Sequence, residues 1–332
     1  MSASLRILVT GAGGQLGRSL RDRIARSTSP APVACADGAV QEVAVSDGRA
    51  APGSACTDPA VADLTFADRA RLDVTRADAI EAWLDRHPAD VVINAAAYTA
   101  VDRAAAERGL AMAVNAEAPG LLARACARRG ARLLHVSTDY VFDGRAGRPY
   151  VEDDPPNPIN TYGLSKLEGE REALRRAPDG IVLRTGWVFG AHGGNFVKAV
   201  LRLGRERGAL DVADDQFGGP TWAGDLAAVL LELAMRPAAP GGIYHFGGEP
   251  WMSRHGFARE ILDEALARGL LEHPPRLRAI ASADWPSPEP RPADSRLDGS
   301  KLAALLGRPP PDWRIGLART LDALARAPEG LQ

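Results

Sequence analysis

The feature that most constrains the fold is a glycine-rich turn close to the N-terminus. Leu5–Thr10 is a short apolar run of strand type, and Arg18–Ala25 has the composition of a helix. Between them stand Gly11, Gly14 and Gly17, which permit a tight turn, a close approach of the backbone to a ligand and close packing of helix on strand. A helix that begins at such a turn points its N-terminus at a phosphate. The pattern predicts dinucleotide binding, and the alternative is an ordinary glycine-rich turn.

The second strand of a dinucleotide fold is expected to end in an acidic residue, which binds the adenosine ribose. Ser27–Pro59 interrupts the pattern, because it is rich in small residues and proline, and it predicts an inserted loop over residues 27–60. Strand character resumes in Ala62–Arg69. Asp68 is therefore the best candidate for the ribose hydroxyls, with Asp63 and Asp37 as weaker alternatives.

The loop that follows this strand offers three more cofactor contacts. Arg69 could meet a 2′-phosphate or simply be a solvated charge, so that NADH and NADPH both stay open. Asp73 is a candidate to bind the adenine amino group, and Val74 to supply a backbone contact.

Alternating strands and helices continue along the chain, which predicts an α/β fold of Rossmann type with a doubly wound parallel sheet. Asn115 is expected to be structural, and His135, in the middle of a strand, to be simply packed. The predicted elements are a helix over Ala77–Arg86, a buried strand over Val91–Tyr98 that runs into a turn of small residues, a helix over Met112–Arg129, and strands over Arg132–Ser137 and Ile181–Gly190.

A proton-delivery device for a carbonyl is indicated by Tyr162 and Lys166. They are four residues apart on a predicted helix over Tyr162–Leu174 and share one face. A lysine ammonium there is expected to lower the pKa of the tyrosine towards working pH. Thr138 and Asp139 follow a strand at its carboxyl end, which is where ligands bind in open α/β sheets. Taken alone, the tyrosine–lysine pair could equally be a surface pair.

Together these motifs resemble the extended short-chain dehydrogenase/reductase superfamily and, within it, the dTDP-4-dehydrorhamnose reductase family. The likeness spans nearly the whole chain apart from residues 27–59. The segments that carry it, besides the glycine turn and the Tyr162–Lys166 pair, are Asn94–Asp102, Ser137–Gly144, Arg184–Gly190, Asp215–Thr221 and Arg291–Asp298.

The resemblance implies a role for each matching residue. Tyr162 would be the general acid, Lys166 its partner at the nicotinamide ribose, and Thr138 the hydroxyl that polarises the substrate carbonyl. Asp139 and Trp187 would contact a sugar nucleotide, and Asn195 and Gln216 would line its pocket. The cofactor, NADPH or NADH, would be lined by Gly14, Gln15, Leu16, Asp68, Asp73, Val74, Ala95, Ala96 and Ala97, beside Gly11, Gly17 and Arg69.

By resemblance the reaction is reduction of the C4 ketone of dTDP-4-dehydro-β-L-rhamnose. Three alternatives stay open: a talose-forming reductase, a nucleotide-sugar epimerase or dehydratase, and a non-catalytic regulatory subunit of the methionine adenosyltransferase type. Dehydratases carry a glutamate after the Thr-Asp pair, where this chain has Tyr140. Arg205, Arg207 and Arg254 could be solvated or could contact a diphosphate.

Two interleaved domains are expected in a chain of 332 residues. A dinucleotide-binding domain would cover residues 1–186 and be joined by returning segments over about 221–247. A smaller substrate domain would combine 187–220 with 248–332.

Composition bounds the partners. The net charge of −2 argues against a nucleic-acid binder, and no apolar run approaches a membrane span. The three cysteines, Cys35, Cys56 and Cys126, have no ligand or disulfide spacing, so a reducing cytoplasm is expected. Some relatives use Mg²⁺ at a dimer interface through a glutamate, but Ser19 holds that place here. We therefore expect no required metal and leave a homodimer open.

Overall fold

A computed structural model of the protein describes residues 4–27, 62–284 and 287–327. The predicted inserted loop beyond Ser27 lies outside these ranges, together with Asp37, Cys35 and Cys56. Within the described ranges, no helix is long and apolar enough to cross a membrane.

The first five strands each begin at the residue where the sequence predicts a strand. In chain order they are β1 (Leu5–Thr10), β2 (Ala62–Ala67), β3 (Val91–Asn94), β4 (Arg132–Thr138), β5 (Ile181–Thr185), β6 (Val188–Phe189), β7 (Ala209–Ala213), β8 (Phe217–Gly218), β9 (Thr221–Trp222), β10 (Gly242–His245), β11 (Met252–Ser253) and β12 (Arg276–Ile280).

The helices connect these strands. They are α1 (Gln15–Ser27), α2 (Ala77–Arg86), α3 (Arg108–Met112), α4 (Ala118–Arg129), α5 (Thr161–Arg176), α6 (Phe196–Arg207), α7 (Ala223–Ala234), α8 (Arg254–Ala267), α9 (Ser300–Leu306) and α10 (Trp313–Arg326).

A six-stranded sheet in the order β10-β5-β4-β3-β1-β2 forms the centre of the described structure, and every neighbouring pair in it is parallel. Successive residues of β1 point to opposite faces: Ile7 and Val9 pack with α1 and α7, whereas Leu8 packs with α2 and α4. Helices therefore cover both faces, and the predicted doubly wound fold is confirmed.

The predicted helix over Met112–Arg129 differs from the structure at its start. Helical structure begins at Arg108 and contains a π-helical turn, in which the N–H of Ala118 bonds to the carbonyl of Ala113 five residues back. Pro119 has no N–H to offer to the carbonyl of Asn115, so the regular hydrogen-bond ladder cannot continue there.

A second core lies outside the central sheet. It is built from the facing sides of α6, α8 and α10 with the parallel pair β7–β12, and its centre includes Phe257 and Trp313, both fully buried. This body follows β5 in the chain. It covers the carboxyl ends of the central strands, where the connections from β1 and β3 run in opposite directions and a ligand crevice opens.

Candidate active site

The glycine turn joins β1 to α1 with steric demands that only glycine meets. Gly11 has a positive φ of +67°, and a Cβ there would collide with the backbone of Ala95 and Ala96 after β3. A Cβ on Gly17 would collide with the backbone of Ala12. Helix α1 can therefore begin directly at the turn, which is the cradle that a dinucleotide phosphate requires. These residues fit the predicted cofactor.

A cavity of about 510 Å³ opens beside this turn. It brings together residues that are far apart in the sequence, from Gly14 just before α1 to Arg254 at the start of α8. Its lining includes predicted catalytic, cofactor and substrate residues, namely Gly14, Gln15, Leu16, Ala95, Ala97, Thr138, Asp139, Tyr162, Lys166 and Trp187.

Four predicted cofactor residues lie on the loop from β2 to α2 rather than in the lining of this cavity. Asp68 accepts the N–H of Arg71 at 3.1 Å, and Arg69 is exposed. Asp73 accepts the N–H and the hydroxyl of Thr75 at 3.0 and 2.7 Å, and these bonds hold its pKa below the usual range. Val74 is buried beneath them. The predicted adenosine contacts of all four stay predictions.

Helix α5 presents Tyr162 and Lys166 to the cavity on one face, as their spacing predicts. The side chain of Asn160 caps the helix by accepting the N–H of Gly163 at 2.7 Å. Lys166 is only 2% exposed and donates to the carbonyl of Val136 at 2.7 Å. Its ammonium is thus turned towards the backbone of β4.

The pKa of Tyr162 differs from the sequence prediction. Burial raises it above the ordinary value, and a hydrogen bond with Thr138 only partly opposes that rise. Lys166 does not lower it here, because the hydrogen bonds of the lysine go to β4. A raised pKa keeps the phenol protonated, which is the form that a general acid needs.

Thr138 and Asp139 stand at the carboxyl end of β4 as predicted. The Thr138 hydroxyl accepts the N–H of Tyr140 at 3.2 Å and donates to Oδ1 of Asp139 at 2.9 Å. Asp139 is 2% exposed, and its Oδ2 has no hydrogen-bond partner within the described residues. Burial raises the pKa of this carboxyl. An orphaned buried oxygen in a cavity wall is a position for a ligand donor.

The segment Ile181–Gly190 is not the single strand that its sequence predicts. β5 ends at Thr185, and Trp187 takes a positive φ of 50°, which is rare for a residue with a bulky side chain. The strand prediction failed because the chain leaves the central sheet here to pair β6 with β9. This break turns the Trp187 ring into the cavity wall.

Arg254 is a cavity residue whose role the sequence left open. Its guanidinium stacks on the Trp187 ring at 3.6 Å from the ring centre, and a Cβ on Gly218 would collide with the same ring. Burial lowers the pKa of Arg254, while Tyr140 and Asp139 nearby oppose that shift. No carboxylate of the described residues lies within 4.0 Å of it. Arg254 is one of many arginines in the chain and begins a helix, so the sequence gives no sign that it lines the cavity.

A second cavity of about 930 Å³ adjoins the first. The two share part of their lining, including Thr99, Tyr140, Trp187 and Arg254. Asn195 and Gln216, the predicted substrate residues, line the second cavity.

Both of these side chains also have structural partners. Asn195 caps α6 and donates to Oε1 of Gln15 at 2.8 Å, which ties α6 to α1. Gln216 donates to the hydroxyl of Ser282 at 2.9 Å.

Two residues that the sequence leaves outside the site have hydrogen-bond partners in the core. Asn115 is structural as expected: it exchanges hydrogen bonds with the backbone of Tyr98 and donates to Ser165 on α5. His135 is buried in β4 as expected, and its Nε2 lies 3.4 Å from Nζ of Lys166. A mid-strand histidine gives no sign of such a partner, because the lysine comes from a different element.

The doubly wound sheet and the tyrosine–lysine helix facing a glycine turn define an oxidoreductase of the short-chain dehydrogenase/reductase class. A family model described as the RmlD substrate binding domain matches residues 5–326. The chain belongs to the family of dTDP-4-dehydrorhamnose reductases.

Individual relatives agree over nearly the full length. A dTDP-4-dehydrorhamnose reductase of Aggregatibacter actinomycetemcomitans is 42% identical over 94% of this chain and 97% of its own. The crystal structure of a dTDP-4-dehydrorhamnose reductase from Clostridium acetobutylicum matches with a TM-score of 0.80 and 32% identity, covering 96% of this chain and 99% of that one. The Bacillus anthracis reductase, solved in complex with NADP, matches with a TM-score of 0.80, 29% identity and the same coverage.

Proposed function

We propose that this protein reduces the C4 ketone of dTDP-4-dehydro-β-L-rhamnose to give dTDP-L-rhamnose, with NADPH or NADH as reductant. The observation that carries the proposal is that Tyr162, Lys166 and Thr138 line one cavity with the start of α1. A ketone placed there meets an acid and a hydroxyl donor at once.

The cofactor would lie along the glycine turn and the small residues Ala95–Ala97, with Asp68, Arg69, Asp73 and Val74 towards its adenosine end. When bound, the nicotinamide supplies the hydride that the ketone carbon accepts. Our assignment of these residues rests on the steric demands of Gly11 and Gly17 and on the lining of the cavity.

Tyr162 would donate its proton to the ketone oxygen as negative charge develops there. Thr138 would give that oxygen a second hydrogen bond. Its hydroxyl proton goes to Asp139 in this structure, so substrate must draw it away. Lys166 would stabilise the tyrosinate that remains after proton transfer.

The substrate would extend from the first cavity into the second. We assign its sugar to the wall formed by Asp139 and Trp187, and its nucleoside to the second cavity, near Asn195 and Gln216. Arg254 lines both cavities and would meet the diphosphate between them.

We also propose that the cofactor domain comprises residues 1–186 with 221–247, and that the substrate domain comprises 187–220 and 248–332. The pairing of β10 with β5 and the packing of α7 beside β1 support the assignment of residues 221–247 to the cofactor domain. As partners we propose the nucleotide sugar and the cofactor, with neither nucleic acid nor membrane, in the cytoplasm. A homodimer would appear as a doubled mass in light scattering.

The experiment follows oxidation of the reduced nicotinamide with the ketosugar nucleotide, and identifies the product by NMR. Tyr162→Phe is expected to lower kcat by roughly 10²- to 10⁴-fold, because the acid is lost, with cofactor affinity retained. Tyr244→Phe is the matched control, since its hydroxyl bonds to Pro240 away from both cavities. Near-normal turnover by Tyr162→Phe, or cofactor binding without turnover by the natural protein, would contradict the proposal.

A further inference from the structure

A chain of buried polar side chains runs from β1 to the lysine of α5. The hydroxyl of Thr10 donates to Oδ1 of Asn94 at 2.7 Å, Nδ2 of Asn94 lies 3.0 Å from Nδ1 of His135, and Nε2 of His135 lies 3.4 Å from Nζ of Lys166. Each of the four is at most 2% exposed. The mechanism proposed above uses only the last of them.

The orientation of the Asn94 amide is fixed by a backbone group. The N–H of Ala96 donates to the same side-chain atom of Asn94 that Thr10 contacts, at 3.2 Å. A backbone N–H can only donate, so this atom must be the amide oxygen. The NH₂ group of Asn94 therefore faces His135.

The amide orientation in turn fixes the proton on the imidazole. An NH₂ group can only donate, so Nδ1 of His135 must accept and carries no proton. The single proton of the neutral ring is then on Nε2, on the side of Lys166. An imidazole N–H can donate to the lone pair of a neutral amine, but it is repelled by an ammonium group.

We propose that Thr10, Asn94 and His135 act as positioning residues that direct the Nε2–H of His135 at Lys166 and so favour the neutral amine in the protein before substrate binds. The charged and titratable groups around Lys166 are His135 on β4, Tyr162 and Glu170 on α5, and Arg184 on β5. Glu170 is already bonded to Arg184 at 2.7 Å and to Ser137 at 2.5 Å, so its negative charge is largely matched.

The protonation equilibria agree with this arrangement. Burial lowers the pKa of Lys166 to about 8 although the charge of Glu170 opposes that shift, and burial together with the neighbouring lysine keeps the pKa of His135 well below its ordinary value. A lysine poised between its two forms takes up a proton most readily once negative charge develops on Tyr162, and that proton comes from solvent through the cavity that Lys166 lines. Its stabilising charge is then greater in the transition state than in the resting site, which is the condition for catalysis. This functional consequence rests on the proposed function.

The test uses the whole protein without substrate, so its outcome is independent of which sugar is reduced. The chain contains three lysines, Lys166, Lys198 and Lys301, so ¹³Cε-labelled lysine gives three NMR signals to titrate, and Lys166→Arg assigns one of them. Labelled histidine reports which ring nitrogen of His135 carries the proton. We expect an Nε2–H ring and a Lys166 midpoint well below the other two.

Asn94→Asp reverses the hydrogen-bond pattern while keeping the shape of the side chain. Its carboxylate accepts from Thr10, Ala96 and the ring, so the proton should move to Nδ1, and the Lys166 midpoint should rise by about one pH unit or more. The negative charge that this substitution adds would by itself also raise the Lys166 midpoint. The same substitution in a His135→Leu background measures that charge effect, and we expect a smaller rise there.

Three results would overturn the proposal: an Nδ1–H ring in the natural protein, an unchanged ring in Asn94→Asp, or equal rises of the Lys166 midpoint in both backgrounds. If the double variant does not fold, the histidine nitrogen signals of the natural protein and Asn94→Asp still decide. A failure here leaves the proposed reduction standing, because that is judged by turnover and product.

Discussion

Arg254 is held in place by a ring rather than by a carboxylate. Its guanidinium lies on Trp187, whose own position depends on a left-handed backbone and on the bare backbone of Gly218. Stacking fixes the plane of the guanidinium without neutralising its charge. The site therefore presents a cation with donors available to an anionic ligand.

Arg254→Met should weaken substrate binding because it removes this cation while keeping a long side chain. A hydrogen bond to a charged group contributes about 1.5–3 kcal/mol, so KM should rise roughly 10- to 100-fold. Inhibition by dTDP should weaken similarly and inhibition by thymidine should not. Steady-state kinetics check this, with Arg259→Met on the exposed side of the same helix as control. If inhibition by dTDP and inhibition by thymidine weaken equally, the assignment of the diphosphate to Arg254 is contradicted.

At the level of single residues, sequence reasoning found the reacting groups and missed their support. Tyr162, Lys166 and Thr138 were predictable because each belongs to a local motif with a chemical purpose. The contacts of His135 and Arg254 were not, because their partners are Lys166 on α5 and Trp187 after β5. A contact between elements that are distant in the sequence leaves no pattern of residue spacing from which it could be predicted.

Helix α5 lies very close to its neighbours, and two glycines permit this. A Cβ on Gly163 would collide with the carbonyl of Tyr140, and one on Gly169 with the carbonyl of Asn115 in the π-helical turn. Beside these contacts the helix holds Tyr162 and Lys166 against β4. The position of the catalytic face is thus set by backbone packing on both sides.

Gly169→Ala should therefore cost stability and turnover together. The new methyl group forces α5 away from the 108–129 helix, and overpacking of this kind costs about 1–3 kcal/mol. Urea unfolding and kcat are the measurements. Gly109→Ala is the control, since a Cβ there meets nothing within 4 Å, and it should raise stability by about 0.5–1 kcal/mol. If the stability and kcat of Gly169→Ala are unchanged, α5 can accommodate the methyl group without moving, which would contradict this prediction.

Helices and strands were predictable where the hydrophobic periodicity agrees with the residues that typically begin or end such elements. α2 begins and ends where its sequence indicates, and β1 fills its predicted run. The errors lie at the π-helical turn, where Pro119 interrupts the hydrogen-bond ladder, and at Trp187, where the chain leaves the central sheet to pair β6 with β9. Trp187 lines both cavities, and the π-helical turn packs against α5, which carries Tyr162 and Lys166.

The whole molecule buries a polar network behind the site. Glu170 and Arg184 form an ion pair with both side chains 2% exposed, and His245 on β10 lies 3.4 Å from Arg184 while bonding to the carbonyl of Tyr150 at 3.0 Å. The network joins α5, β5 and β10 in one cluster. Removing one partner would leave a buried charge unmatched.

Stability should fall in mild acid partly because of His245. Burial, with Arg184 beside it, lowers the pKa of the native imidazole to about 3, whereas an unfolded histidine titrates near 6.5. The unfolded state therefore binds the extra proton first. The contribution of His245 is fully present above about pH 6.5 and is lost as the pH falls, by about 1.4 kcal/mol per pH unit well below that value.

His245→Gln should show a shallower loss of unfolding free energy than the natural protein between about pH 6.5 and pH 4.5. Urea denaturation at a series of pH values measures it, and the exposed His273→Gln serves as control. Parallel pH curves for His245→Gln and the natural protein would exclude this role.

The place of β10 in the sheet has a consequence for biosynthesis. β5 leaves the ribosome long before its outer partner, because the chain from β6 to α7 is made in between. Until β10 emerges, the nascent chain carries an open strand edge, and such edges are where chains associate wrongly. Chaperones that bind extended segments therefore have an opportunity at β5 during translation.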